Sequence, residues 1–317
     1  ENRSHLVMGS ILTEWSDRVT QLAAKVICDV LTGSNASPLT RAILDQGLAE
    51  DVDLSLNDSV LQPYVTLSFR NVQDGREDEI LALVRKIAEG FVREGLPSAS
   101  VLSSINHMEF LSREHDEPEG VYRAIQMQNA YLYGGDPLQY LEYDQDFQKL
   151  RDMAETGGLE RLLKRMLLDD EGVCILHVRP SATLAEEIRE REQTRLSETV
   201  NAWSAEDRET NRQCNEALIR WQQSEDTEEN LRTLPHLNLE DIGPMRPSLT
   251  TLVKDFGAWQ IRQHPAKTNG IVYLNFYFRL TDMPLEAFFD LSIASRMFGK
   301  LPTEHYDALA LEEAIKT

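Results

Sequence analysis

The amino-acid sequence predicts an α+β fold, in which a mostly antiparallel sheet carries helices packed on one face. A long helical hairpin is expected to follow, and then the opening strand and helix of a second α+β domain. Three observations lead to this prediction: apolar periodicities in the order β-α-β-β-α…α-β, a charged stretch with few apolar residues, and one strong apolar strand near the end.

Strand and helix patterns alternate at the beginning of the chain. Residues 4–12 are rich in apolar and small side chains and predict a strand. A helix with one apolar face is expected next, with Asp17 near its N-terminal cap. A shorter helix begins at Pro38, since proline is favoured in the first helical turn. Two further strands are predicted over residues 49–57 and 63–72.

Longer helices and one late strand complete the first predicted domain. Apolar residues at helical spacing predict a helix over residues 76–94, and Pro97 starts another. Helical patterns continue to about residue 168, and residues 172–178 form a short apolar segment rich in β-formers. We therefore expect one α+β domain over residues 1–181.

Residues 182–233 differ from the rest in composition. They contain 13 acidic residues and 7 arginines but no lysine, and few apolar side chains. This composition predicts a solvated hairpin of two charged helices, whose packing would depend on Trp203 and Trp221. A partner surface is the less favoured interpretation of these two tryptophans.

Residues 234–317 are expected to contain a proline-rich linker, a strand over 270–280 and a helix over about 284–298. One strand with its helices cannot bury its own apolar face. The sequence is therefore expected to be a piece of a larger protein, with an incomplete further α+β domain at this end.

Composition excludes several classes of function. The chain has 317 residues, 41% of them hydrophobic, and a formal net charge of −21, which disfavours binding to nucleic acid or to an anionic membrane. It has no apolar run long enough to cross a bilayer. Its three cysteines are far apart and form no C-x-x-C pair, which favours reduced thiols in a cytoplasm-like compartment.

A peptidase zinc site is not predicted within this chain. Helical zinc motifs need two histidines four residues apart, facing one ion, and no two of the seven histidines have that spacing. One cluster of possible ligands remains: His107, Glu109, Glu114, His115 and Asp116. On a helix, its two histidines would lie about 12 Å apart along the axis, so a polar helix face is the favoured interpretation.

Other catalytic signatures are weak. Cys28 and Cys174 lie in apolar helix and strand patterns and are expected to be buried and inert, whereas Cys214 is expected to be exposed without a role. The glycine pairs at 134–135 and 157–158 fit turns or caps, because the sequence has no phosphate-binding glycine motif and no nucleophile elbow.

The aromatic segment over residues 270–280 has two interpretations. It could pair with an extended peptide through a free sheet edge, but a core strand is favoured. Its aromatic side chains are Tyr273, Phe276, Tyr277 and Phe278.

Five stretches, in order, resemble motifs of one peptidase family. They are residues 35–39 (NASPL) with 41–44 (RAIL), 62–64 (QPY), 104–110 (SINHMEF) followed by Arg113 and Glu114, 133–137 (YGGDP), and 268–274 (TNGIVYL). The chain resembles the pitrilysin-type zinc metallopeptidases, in the presequence-protease branch. The resemblance covers nearly the whole chain.

The resemblance implies a role without catalytic residues. Residues 1–181 would be the non-catalytic second domain, residues 182–233 the helical hairpin linker, and residues 234–317 a linker and the beginning of the third domain. The family's zinc motif and substrate-orienting residues match no position here, so no catalytic, cofactor-binding or metal-binding residue is assigned. Zinc is implied only for the full-length parent.

Two functions therefore remain open. In the first, the chain supplies scaffold, chamber wall and hinge to a zinc metalloendopeptidase that degrades short unfolded peptides, in the cytoplasm or the mitochondrial matrix. Its partners would be the rest of the parent chain and the peptide substrates, with no nucleic acid and no membrane. In the alternative, the parent is a catalytically inactive relative that acts as an interaction or assembly subunit. An independent enzyme with an unrecognised site is a third, weaker interpretation.

Overall fold

A computed structural model describes residues 4–114, 118–243, 250–257, 259–281 and 283–316. The chain divides into two compact units, Glu1–Pro180 with Lys267–Thr317, and Ser181–Ala266. The predicted domain division at residues 182 and 234 stays a prediction.

The first unit combines one sheet with helices, as predicted. Its first part contains, in order, β1 (Ser4–Ile11), α1 (Arg18–Thr32), α2 (Pro38–Asp45), β2 (Asp51–Asn57), β3 (Tyr64–Val72), α3 (Glu77–Glu94), α4 (Ser98–Arg113), α5 (Glu119–Leu132), a 3₁₀ helix (Pro137–Leu141), α6 (Asp144–Glu155), α7 (Gly158–Leu167) and β4 (Val173–Val178).

The four strands form an antiparallel sheet in the order β2-β3-β1-β4. Alternate residues of the inner strands are buried, such as Leu6 and Met8 on β1 and Leu67 and Phe69 on β3. These side chains pack with the apolar faces of the helices in one core, because a strand presents successive residues to opposite faces. The mostly antiparallel sheet with helices on one face is confirmed.

Helix α1 lies at the centre of that core. Ala23, Ala24, Val26 and Ile27 are completely buried. The helix begins as predicted, since the Asp17 carboxylate accepts a hydrogen bond from the Thr20 backbone amide at 3.1 Å.

The predicted turn at residues 134–135 has two separate requirements for glycine. Gly134 has φ +79°, in the region that favours glycine. Gly135 lies against the Trp15 ring, and a methyl group at this position would overlap that ring. The Asp136 carboxylate then accepts a hydrogen bond from the Leu138 amide at 2.9 Å and caps the 3₁₀ helix.

The second unit has almost no buried side chains. Its elements are α8 (Leu184–Ala202), α9 (Ala205–Gln223), α10 (Glu228–Thr233), a 3₁₀ turn (Leu239–Asp241), β5 (Leu252–Phe256) and β6 (Trp259–Gln263). Of its described residues, all are exposed except Trp203, which is partly buried. The expectation that two tryptophans pack the hairpin is wrong, because 72% of the Trp221 surface is exposed. The β5–β6 hairpin was not predicted, since its residues fall within the expected linker.

The chain ends with an extended segment and two helices, α11 (Leu285–Met297) and α12 (Ala308–Lys316). Residues 271–280 form no strand, which corrects the prediction, because no described strand pairs with them and a strand is stable only beside a partner. The favoured core-strand interpretation is also wrong for this chain, as Tyr277 is 88% exposed. Helix α11 agrees with its predicted position.

Candidate functional site

The residues singled out as possible metal ligands do not form a site in the described structure. His107 is exposed on α4, whereas Glu109 on the same helix is engaged by arginines. His115 and Asp116 lie outside the described residues. Over the ranges that the structure describes, no group of three or more histidine, cysteine, aspartate or glutamate side chains is arranged to hold a metal ion.

The three cysteines differ in environment. Cys28 is buried in α1, and burial raises its pKa to about 12, so it stays a thiol at neutral pH, as expected for an inert cysteine. Cys214 is exposed on α9, as predicted. Cys174 is also exposed, which corrects the expectation of burial: it lies on the edge strand β4, opposite Gly9, on the side of the sheet away from the core.

A polar network at the C-terminal half of α4 is the most organised cluster that we find. The Arg113 Nη2 atom lies 2.7 Å from a Glu109 carboxylate oxygen and 2.7 Å from an oxygen of Asp144. The other Glu109 oxygen accepts a hydrogen bond from Arg151 at 2.6 Å, and Arg151 also donates to Asn106 at 3.1 Å. The hydrogen bond with Glu109 raises the pKa of Arg113. Because the network joins α4 to α6 and its charges balance, it fixes the position of the end of α4.

The segment that follows Ala266 meets this end of α4. Asn269 and Gly270 both have positive φ, at +49° and +85°, and the Ile271 amide donates to the Thr268 carbonyl at 2.9 Å. This is the pattern of a type I′ turn with an Asn-Gly centre. A cavity of about 340 Å³ lies between the turn and the helix, and its lining residues are Asn106, Glu109, Phe110, Arg113, Gly270, Ile271 and Val272.

The sheet face opposite the core is a second candidate surface. By register, Val7 lies between Ser68 on β3 and Leu176 on β4, and Asp53 lies beyond Ser68 on β2. The face is therefore polar towards β2 and apolar towards β4. Such a one-sided antiparallel sheet can present its second face to solvent or to a ligand.

Two sequence models of one peptidase family match the chain. Residues 1–108 match the model described as "Peptidase M16 inactive domain", and residues 178–317 match the model of the region associated with subfamily C of peptidase M16. The chain belongs to the peptidase M16 family. The resemblance to pitrilysin-type peptidases of the presequence-protease branch is thereby confirmed.

Relatives of known name span the same region. The chain is 26% identical over 318 residues to Protein HypA of Clostridium perfringens, covering 99% of this chain and 33% of that protein. It is 28% identical over 279 residues to Presequence protease 1, chloroplastic/mitochondrial, of Arabidopsis thaliana, covering 85% of this chain and 26% of the relative. The chain thus spans about a third of the length of these M16 relatives, or less.

One solved M16 structure is similar over the first part of the chain. The peptidase M16 inactive domain from Pseudomonas fluorescens has a TM-score of 0.42 and 14% identity, over 57% of this chain and 42% of that one. Separately, none of the helices in the described part of the chain is both long enough and apolar enough to cross a membrane.

Sequence reasoning singled out two of these motifs without showing that they meet. Residues 104–110 and 268–274 both carry the family resemblance, and the structure brings them together around Arg113. The partners Asp144 and Arg151 were not identified as functional, although their charges on an otherwise amphipathic helix are the signal that a search for paired charges across helices could have used.

Proposed function

We propose that this chain is the non-catalytic central part of a zinc metalloendopeptidase of the M16 family, which degrades short unfolded peptides. The observation that carries the proposal is the order of the two family matches, an inactive peptidase domain followed by the region associated with subfamily C. Relatives named presequence protease support the peptide-degrading activity of the parent. We place the parent in the cytoplasm, or in the mitochondrial matrix if it is eukaryotic.

The residues of this chain do not fit the zinc site of such a peptidase. All seven histidines are at positions that exclude both H-E-x-x-H and its inverse H-x-x-E-H. The chemistry therefore belongs to another part of the parent, and no catalytic step is assigned to residues of this chain.

The proposed contribution of residues 1–181 is a wall for the peptide chamber. The core-side face of their sheet is covered by helices, which leaves the opposite face for the chamber. Its serine, threonine and aspartate side chains towards β2, and its apolar side chains towards β4, suit unfolded peptides of mixed composition.

The proposed contribution of residues 182–233 is a linker between the halves of the parent. Helices α8 and α9 have no buried residue, and their described stabilising contacts include exposed pairs such as Arg212 with Glu209 and Glu216. Exposed ion pairs contribute little to stability. This segment therefore depends on other parts of the parent for packing, as a connecting element would.

Residues 234–317 are proposed to begin the third domain. The side chains of β5, β6, residues 271–280 and α11 remain largely exposed in this chain. We expect further strands of the parent to pair with residues 271–280 and to cover these apolar side chains.

The test compares this chain with its full-length parent. We expect the chain alone to bind no stoichiometric zinc and to cleave no unfolded peptide, whereas the parent cleaves such peptides and loses that activity with EDTA. Stoichiometric zinc or EDTA-sensitive cleavage by the chain alone would contradict the proposal. A parent that has no H-x-x-E-H motif upstream of residue 1, and no activity, would favour the alternative of an assembly subunit.

A further inference from the structure

We propose that Asn269 and Tyr273 form a latch, which holds the segment after Ala266 against the C-terminal end of α4. The latch is a contact between two stretches about 155 residues apart in sequence. It goes beyond the proposed function, because it concerns the folding of this chain and not peptide cleavage.

The end of α4 supplies the acceptors. The last carbonyl groups of a helix have no partner within the helix and need one from elsewhere. The Ser112 carbonyl accepts a hydrogen bond from Arg123 at 3.2 Å, and the Arg113 carbonyl accepts one from the Asn269 side-chain amide at 3.2 Å. Asn269 thus caps a helix that ended 156 residues earlier in the chain.

The turn supplies the donor in a fixed orientation. The Asn269 backbone is held in its positive-φ conformation by the Ile271 to Thr268 hydrogen bond. Asparagine tolerates this conformation better than most residues and also carries the amide that reaches α4. Four residues further on, the Tyr273 hydroxyl donates to a Glu114 carboxylate oxygen at 3.5 Å.

The polar network behind α4 positions the acceptor. Glu109 is held by Arg113 on its own helix and by Arg151 on α6, so the last turn of α4 is tied to the core unit. Glu109 makes no contact with the turn through a described hydrogen bond. It acts instead through Arg113, whose carbonyl receives the Asn269 amide.

Limited trypsin digestion of the full chain tests the latch. Lys267 is exposed directly before the turn, and Arg262 in β6 offers a second cleavage site within the same molecule. Asn269→Asp replaces the donor with an acceptor that faces the Arg113 carbonyl. Because a net hydrogen bond changes an equilibrium about fivefold, we expect cleavage after Lys267 to become about fivefold faster, with no change after Arg262.

Asn275→Asp is the matched control, since it makes the same chemical change in the same extended segment but outside the latch. It should leave cleavage after Lys267 unchanged. Asn269→Gly is a second variant, because it keeps the positive φ and removes only the side chain, and it should also accelerate cleavage. The latch is overturned if Asn269→Asp and Asn269→Gly both behave like Asn275→Asp.

A double-mutant cycle tests the positioning role of Glu109. We expect Glu109→Gln alone to accelerate cleavage after Lys267, and the double variant with Asn269→Asp to be no faster than Asn269→Asp alone. Glu155→Gln, at the exposed end of α6, controls for the loss of a charge. Additive effects of Glu109→Gln and Asn269→Asp would show that Glu109 acts on general stability and would reject its positioning role. The digestion uses no peptide substrate, so failure of the proposed peptidase function would leave its outcome unchanged.

Discussion

Replacing Gly135 with alanine tests whether the turn at 134–136 packs tightly against Trp15. The added methyl would overlap the Trp15 ring, so the ring or the turn has to move. The ring cannot move freely, because it also packs against Tyr133 with ring centroids 5.7 Å apart, and the Tyr133 hydroxyl donates to the Ser59 carbonyl at 3.3 Å. Overpacking of this kind costs about 1–3 kcal/mol of unfolding free energy.

Equilibrium unfolding in urea, followed by tryptophan fluorescence, measures this cost. With an m-value of about 2–3 kcal/mol/M, the Gly135→Ala midpoint should fall by about 0.5–1 M. Gly90→Ala is the matched control: Gly90 lies within α3 with open space around its Cα, so alanine there should stabilise the chain by about 0.5–1 kcal/mol. A Gly135→Ala midpoint equal to or above that of the unsubstituted chain would refute the packing argument.

Two further predictions concern thiol chemistry and charge. Iodoacetamide at about pH 8 should modify Cys174 and Cys214 in the folded chain but Cys28 only after unfolding, and equal labelling of all three, measured by mass spectrometry, would contradict the burial of Cys28. Because the pKa of Cys28 is about 12 when folded and 9.0 ordinarily, its contribution to stability is complete below the ordinary value and is lost as the pH rises towards the folded one, so the urea midpoint should fall over that range less in Cys28→Ala than in the unsubstituted chain. The acidic charge of the chain should favour uptake of basic peptides by the proposed parent, so kcat/KM for a basic peptide should fall as salt is raised; a kcat/KM independent of salt would contradict this steering.

Local patterns predicted most elements of the first part of the chain. Strand β3 and helix α3 lie within a residue or two of their predicted positions, because alternation and helical spacing are properties of the sequence that the core then uses. The cap by Asp17 was predictable for the same reason, as it depends on residues three apart.

Elements that depend on distant partners were predicted less well. Cys174 was expected to be buried because its strand is apolar, but only the order of the strands shows that β4 lies at the sheet edge. Residues 271–280 have the composition of a strand and form none here, because a strand needs hydrogen-bonding neighbours that the described residues do not provide.

The sequence by itself determined the fold class, the family resemblance and the lack of a histidine pair suited to zinc. These follow from the identity and spacing of nearby residues, which no tertiary arrangement changes. The tertiary structure alone decided that Glu109 lies between Arg113 and Arg151, and that Asn269 reaches the end of α4. The physical reason is that such contacts join residues far apart in the chain, and only the packing of helices and turns brings their polar atoms within hydrogen-bonding distance.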